Sequence, residues 1–157
     1  MCRLLRAVRV PAVVVRLAQT FGPGVASDDG RVFAQFARCA MSGQDIVLNT
    51  TGESKRCCLY TADAVSAILT LMLEGEPGQA YNAANRVTYS SIYEMAQMVA
   101  TKIADGKIAV TVHVDEQKSK NYPPTFHLNL QTDKLEALGW HPTKDLREMY
   151  LRMMQLM

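Results

Sequence analysis

Ala12-Val13-Val14-Val15 is a short β-branched run that follows Pro11 and precedes the turn residues Gly22-Pro23-Gly24. Successive apolar positions leave such a strand no face to give to water, so it belongs in a parallel sheet covered on both sides. The segments that follow alternate between strand and helix patterns. Asp28-Asp29-Gly30 opens a helix predicted over Arg31–Ser42, with Val32, Phe33, Phe36, Ala37 and Ala40 at helical spacing and Gly43 as its cap. Ile46–Leu48 and Cys57–Thr61 read as strands, and Thr51-Gly52 between them reads as a turn. Asp63 is placed to cap an apolar helix to Leu73, stopped by Gly75, Pro77 and Gly78, with a strand at Ala80–Ala83 beyond it. Ser91 and Glu94 form an S-x-x-E capping box for a helix to Ala104. Asp105-Gly106 then turns the chain into Ile108–Val114, whose β-branched residues alternate with period two. Residues 115–124 read as loop; Thr132 opens a short helix ending at Gly139, and a last helix after Pro142 puts Leu146, Met149, Tyr150 and Met153 on one face. The class is α/β.

At 157 residues, 48% apolar and 20% charged, the chain has the length and composition of one globular domain. A net charge of +2 calls for neither nucleic acid nor a membrane surface as partner, and no apolar run reaches the ~18 residues of a membrane span. Residues 1–16 carry Arg3, Arg6, Arg9 and Arg16 and no acid, a pattern shared with transit peptides, yet Pro11 breaks it early and the valine run reads as buried strand. Cys2, Cys39, Cys57 and Cys58 show no CxxC spacing, and two are adjacent, so reduced thiols in a cytoplasmic protein are expected.

Catalytic motifs are scarce in the chain. There is no P-loop, no glycine-rich pyrophosphate loop and no GxSxG elbow. His113, His127 and His141 stand apart from one another and from the cysteines, so no metal site is expected. Spacing alone stops at an α/β domain.

A set of short segments goes further. Arg16–Gly24 (RLAQTFGPG) resembles the RxxNxYGP segment of extended short-chain dehydrogenases, the NAD-dependent nucleotide-sugar epimerases and dehydratases. Asp29-Gly30-Arg31-Val32 resembles their DGRV helix start, and Lys55–Asp63 their R-x-x-x-YVxD segment. Gly78–Asn82 resembles G-x-x-YN, and Lys134–Pro142 resembles K-x-x-x-LGWxP. The resemblance implies the C-terminal, substrate-binding half of such an enzyme. Residues 1–24 would be a residual Rossmann helix end, strand and turn, and residues 25–157 the substrate-binding portion, together a single partial domain. The N-terminal dinucleotide-binding region has no counterpart: the first glycine is Gly22, and no Tyr-x-x-x-Lys lies upstream of residue 16. The chain is therefore expected to be truncated relative to the family and to have no catalytic residues of its own. NAD or NADP would belong to the full-length enzyme and not to this chain alone.

By the same resemblance the ligand is a nucleoside-diphosphate sugar. Arg56 matches the family's diphosphate-contacting arginine, whose planar fork suits phosphate. Arg31 matches a second substrate-side position. Gln19 stands where a substrate-binding asparagine is usual, one methylene longer. Leu17 falls where the backbone approaches the nicotinamide, which matters only with the missing half present. Phe21 replaces a tyrosine, and Gln131 stands where an aspartate is common. Asp63, Asn82 and Asn85 read as structural caps and strand-end bonds, and Trp140 as a packing anchor. A non-catalytic nucleotide-sugar-binding or protein-interaction module is the alternative. Self-association is expected, because the valine strand would otherwise present an unpaired edge.

Overall fold

The computed structural model describes residues 11–114 and 124–157; the basic helix end expected at residues 1–9 and the loop at 115–123 lie outside them. The chain order is β1 (Val14–Leu17), β2 (Gln19–Phe21), α1 (Val32–Ser42), β3 (Ile46–Leu48), β4 (Lys55–Tyr60) and α2 (Thr61–Glu74), continuing through β5 (Ala80–Ala83), β6 (Asn85–Ser91), α3 (Ile92–Met98), β7 (Val110–Val112), β8 (His127–Leu128), α4 (Asp133–Glu136) and α5 (Leu146–Met154). A π-helical stretch, Val99–Ile103, extends α3. The α/β class holds.

Strand β4 organises the molecule. Its side chains alternate between faces. Cys57 and Leu59 enter one apolar cluster with Ala67, Leu71, Tyr81, Leu135 and Trp140. Cys58 and Tyr60 enter the other, with Phe21, Phe33, Phe36, Met95, Val99 and the α5 face of Met149, Tyr150 and Met153. Phe21 stacks on Phe33 at 4.4 Å between centroids and meets Tyr150 edge-on at 5.3 Å. Phenylalanine suits that position, since a hydroxyl there would need a partner within an apolar cluster. Both edges of β4 are used. β6 pairs antiparallel with one; on the other, β8 runs parallel beside Lys55–Arg56 and β2 beside Cys58–Tyr60. The remaining strands form two parallel pairs, β1 with β5 and β3 with β7.

Several elements differ from expectation for physical reasons. The valine strand is displaced: β1 covers Val14–Leu17, and β2 follows after Ala18, whose N–H donates to Ala83 O at 2.9 Å. Strand β6 carries no apolar alternation, because its buried positions are polar. Thr88 is 3% exposed, and its hydroxyl accepts from Cys58 N at 2.7 Å and donates to Cys58 O at 3.1 Å. The alternation at 108–114 contributes only Val110–Val112 as strand. The Ser91–Glu94 capping box and the Gly43 cap (φ 70°) form as the sequence indicates.

Asp63 is not the N-cap. Helix α2 begins at Thr61 with Tyr60 in the cap position, and Asp63 sits buried in the first turn. Its carboxylate is committed to a distant segment: Oδ2 accepts from Thr143 N at 2.9 Å and Oδ1 from the Thr143 hydroxyl at 2.7 Å. Trp140, 4% exposed, donates from Nε1 to Ser66 Oγ at 3.0 Å. Asn82 donates to Gln131 O and Asn85 to Lys144 O, so these asparagines also tie C-terminal loops to β5 and β6. Trp140 and both asparagines thus each tie separate segments of the chain together.

Removing the buried Asp63 carboxylate takes away the acceptor of both Thr143 donors. Asp63→Ala is expected to cost about 1.5–3 kcal/mol of folding stability, the range for hydrogen bonds to a charged group. Urea denaturation measures it; a midpoint equal to that of the parent chain would show that the Asp63–Thr143 tie contributes nothing.

Candidate functional site

Where the β4 edge changes partner, three side chains converge. Arg56 is the last β4 residue beside β8, Gln19 opens β2 in register with Cys58, and Phe126 immediately precedes β8. Arg56 Nη1 donates to Gln19 Oε1 at 3.1 Å, and its guanidinium carbon lies 4.9 Å from the Phe126 ring centroid. Arg56 Nε is buried and has no hydrogen-bond partner among the described residues. A buried donor without an acceptor costs about 1–3 kcal/mol; Asn82 Oδ1 and the Tyr150 hydroxyl are likewise buried without a partner among the described residues.

Arg56 and Phe126 line a cavity of about 500 Å³, within the size range of small-molecule sites. Val32 and Phe36 of α1, Val47 and Leu48 of β3, and Ile92 supply apolar walls; the 49–54 loop supplies polar ones, including Thr50, Thr51 and Ser54. That loop is held against the start of α3, with Tyr93 N donating to Gly52 O at 3.0 Å and Ile92 N to Ser54 O at 3.1 Å. Gly52 adopts φ 70°, and a Cβ there would stand 3.0 Å from Tyr93 N, so only glycine fits without strain. Apolar and polar side chains share the lining, and the acid Glu53 stands on it as well as the cation Arg56.

Of the sequence-predicted site residues, Arg56 and Gln19 come together and Arg31 does not join them. Arg31 Nε lies 3.0 Å from both carboxylate oxygens of Asp29, and Nη2 lies 2.5 Å from Oδ2. The guanidinium also sits 4.7 Å from the Phe33 centroid, and Arg31 is absent from the cavity wall although Gly30 and Val32 belong to it. The acid two residues earlier wins because its carboxylate also accepts from Arg31 N at 2.8 Å, fixing the pair at the helix start. Those bonds from Arg31 hold the Asp29 carboxyl down to about 2, from an ordinary 3.8.

Leu17 ends β1 in register with Ala83, with its side chain 42% exposed and off the cavity wall. Neither it nor any strand–glycine-loop–helix unit among the described residues makes a dinucleotide site, so these residues do not fit the cofactor on their own. No three His, Cys, Asp or Glu side chains cluster among them to hold a metal ion. Cys39, Cys57 and Cys58 are free, and burial pushes the Cys58 thiol up to about 12, which makes it a poor nucleophile. The sequence reading missed Phe126 and the fit of Gly52 beneath α3. The alternation of Phe126, Leu128 and Leu130 was the available signal for the first.

The NAD dependent epimerase/dehydratase family model matches residues 1–84. The dTDP-D-glucose 4,6-dehydratase of Mus musculus is 25% identical over 140 residues, covering 85% of this chain and 37% of the mouse protein. UDP-glucuronic acid decarboxylase 4 of Arabidopsis thaliana is 28% identical over 144 residues, 91% of this chain and 31% of that protein. Among solved structures, the UDP-glucose 4-epimerase of Thermotoga maritima, determined with UDP-glucose, superimposes with a TM-score of 0.82 at 19% identity, over 98% of this chain and 48% of that one. At that identity the likeness establishes the fold. The chain spans about a third of the length of the curated relatives and just under half of the solved one.

The Asp29–Arg31 pair is testable by titration. Because the folded value lies below the unfolded one, the pair is fully formed above about pH 4 and is lost as pH falls through about 2. NMR titration of the Asp29 carboxyl should give a midpoint near 2, returning towards 3.8 in Arg31→Ala; an ordinary midpoint in the parent chain would refute the pairing.

Proposed function

The chain belongs to the NAD dependent epimerase/dehydratase family, and on that premise we propose that its cavity binds the nucleoside-diphosphate part of a nucleotide sugar. The observation that carries this reading is the buried, unpartnered Nε of Arg56, a residue of the cavity wall. A phosphate oxygen supplies the missing acceptor, and the base occupies the slot between α1, β3 and Phe126. Strand β1 then continues the dinucleotide-binding sheet, and residues 25–157 form the substrate-binding portion. NAD or NADP chemistry in this family requires a glycine-rich loop and a Tyr-x-x-x-Lys pair, which these 157 residues do not contain. We therefore assign this chain ligand binding without turnover of its own. Free, buried thiols at Cys57 and Cys58 fit a reducing compartment, the cytoplasm.

A separate observation favours association with a second copy of the chain. On α2, Val65, Ile68, Leu69 and Met72 follow i, i+3, i+4, i+7 spacing and are 38–76% exposed. This helix packs against β1, whose only strand partner among the described residues is β5. An open parallel edge beside an uncovered apolar helix face is a template for another chain, and a two-fold pair closes it.

Two measurements test these readings. Calorimetry with UDP should show binding that weakens with added salt and falls about ten- to a hundredfold in Arg56→Ala, the loss of a charge-assisted contact. Arg31→Ala should change it little. Absence of UDP binding, or equal binding by Arg56→Ala, overturns the assignment. Light scattering at micromolar concentration should report a dimer that Leu69→Glu with Met72→Glu converts to monomer; a monomeric parent chain overturns the association.

A further inference from the structure

We propose that Gln19 is a positioning residue for Arg56 and does not itself contact the ligand; this rests on the cavity's assignment to a nucleoside diphosphate. A lone arginine side chain samples many rotamers, and much of that freedom is lost when it grips an anion. Here the guanidinium is fixed beforehand by two contacts of different kinds. Gln19 Oε1 takes one Nη1 proton at 3.1 Å, and the Phe126 ring lies 4.9 Å from Cζ. An edge contact and a ring contact together fix the plane. Gln19 reaches this point because β2 enters the β4 edge at Cys58, two residues past Arg56, while β8 leaves it at Arg56 itself.

The partner's charge matters as much as its position. Arg31 and Arg56 are held by their acceptors in opposite ways. Asp29 engages both Nε and Nη2 of Arg31 and supplies a compensating negative charge. Gln19 engages only Nη1 of Arg56 and is neutral, so the positive charge and the Nε proton remain available. A neutral acceptor orients without quenching. The additional methylene of glutamine is then what lets the carbonyl meet the guanidinium, and that oxygen is already committed before any ligand arrives.

The test is a double-mutant cycle on the full chain with UDP as probe and uridine as control, since coupling energies isolate which group acts through which. Gln19→Met keeps length and removes the acceptor. It should weaken UDP about three- to tenfold, the size of one net hydrogen bond, and leave uridine unchanged. In the Arg56→Ala background the same change should have no further effect. Gln19→Glu keeps the bond but quenches the charge, and should weaken UDP more than Gln19→Met does. In the ligand-free chain, the Arg56 Nε–H NMR signal should lose exchange protection in Gln19→Met and keep it in Gln19→Glu. Equal losses with and without Arg56 would place Gln19 on the ligand itself, and no loss would give it no role; either overturns the inference while the cavity's assignment stands. A parent chain that binds UDP no better than uridine overturns both, with the ligand-free signal then showing whether the Arg56 geometry was right.

Discussion

Every other part of the structure answers to β4, a six-residue strand with apolar contacts on both faces and partners on both edges. Burying both faces of a strand requires material on each side, and α2 with the 130–140 segment serves one face while α1, α3 and α5 serve the other. Burying its edges requires backbone partners along its whole length. β6 covers one edge by itself, but the other is divided between β8 and β2 because neither is long enough. The candidate site occupies that division. A junction between two short strands is where a side chain such as Arg56 can leave the sheet and remain half-buried.

The same constraint explains how much could be read from the residues beforehand. Helices whose apolar faces meet one cluster were legible: α1 from Val32, Phe33, Phe36 and Ala37, and α5 from Met149, Tyr150 and Met153. The capping box at Ser91 was legible because both its bonds are local. Strand β6 was not, since its buried positions, Asn85, Thr88 and Ser91, are polar and find their partners across the sheet. Asp63 was misread for a related reason. Helix-start acids commonly serve their own backbone, but this one serves Thr143, eighty residues away, a contact that no local pattern encodes.

For the site, the resemblance identified Arg56, Gln19 and Arg31 as residue types but not as a group. Arg56 and Arg31 look alike in sequence, each beside a turn and each followed by apolar residues. They part ways through their neighbours in space. Arg31 has an aspartate two positions away and becomes part of a helix start. Arg56 has a lysine before it and a cysteine after it, and its acceptor comes from residue 19. Phe126, its ring partner, follows a segment with no secondary-structure signal and enters only because β8 pairs with Lys55 and Arg56.

A fold that leaves Arg56 Nε buried and unsatisfied gives up stability in the empty state, about 1–3 kcal/mol for such a donor. The neighbouring contacts offset part of that loss: one hydrogen bond from Nη1 and a cation–ring contact worth about 0.5–1 kcal/mol at an accessible site. Neither reaches Nε. An anion that does reach it removes the penalty in addition to forming its own charge-assisted bond, so the cost carried by the empty protein reappears as affinity. This is why a satisfied arginine such as Arg31 makes a good structural pin and a poor ligand site. Each new acceptor there would have to displace Asp29, whose carboxylate already accepts from both the side chain and the backbone of Arg31.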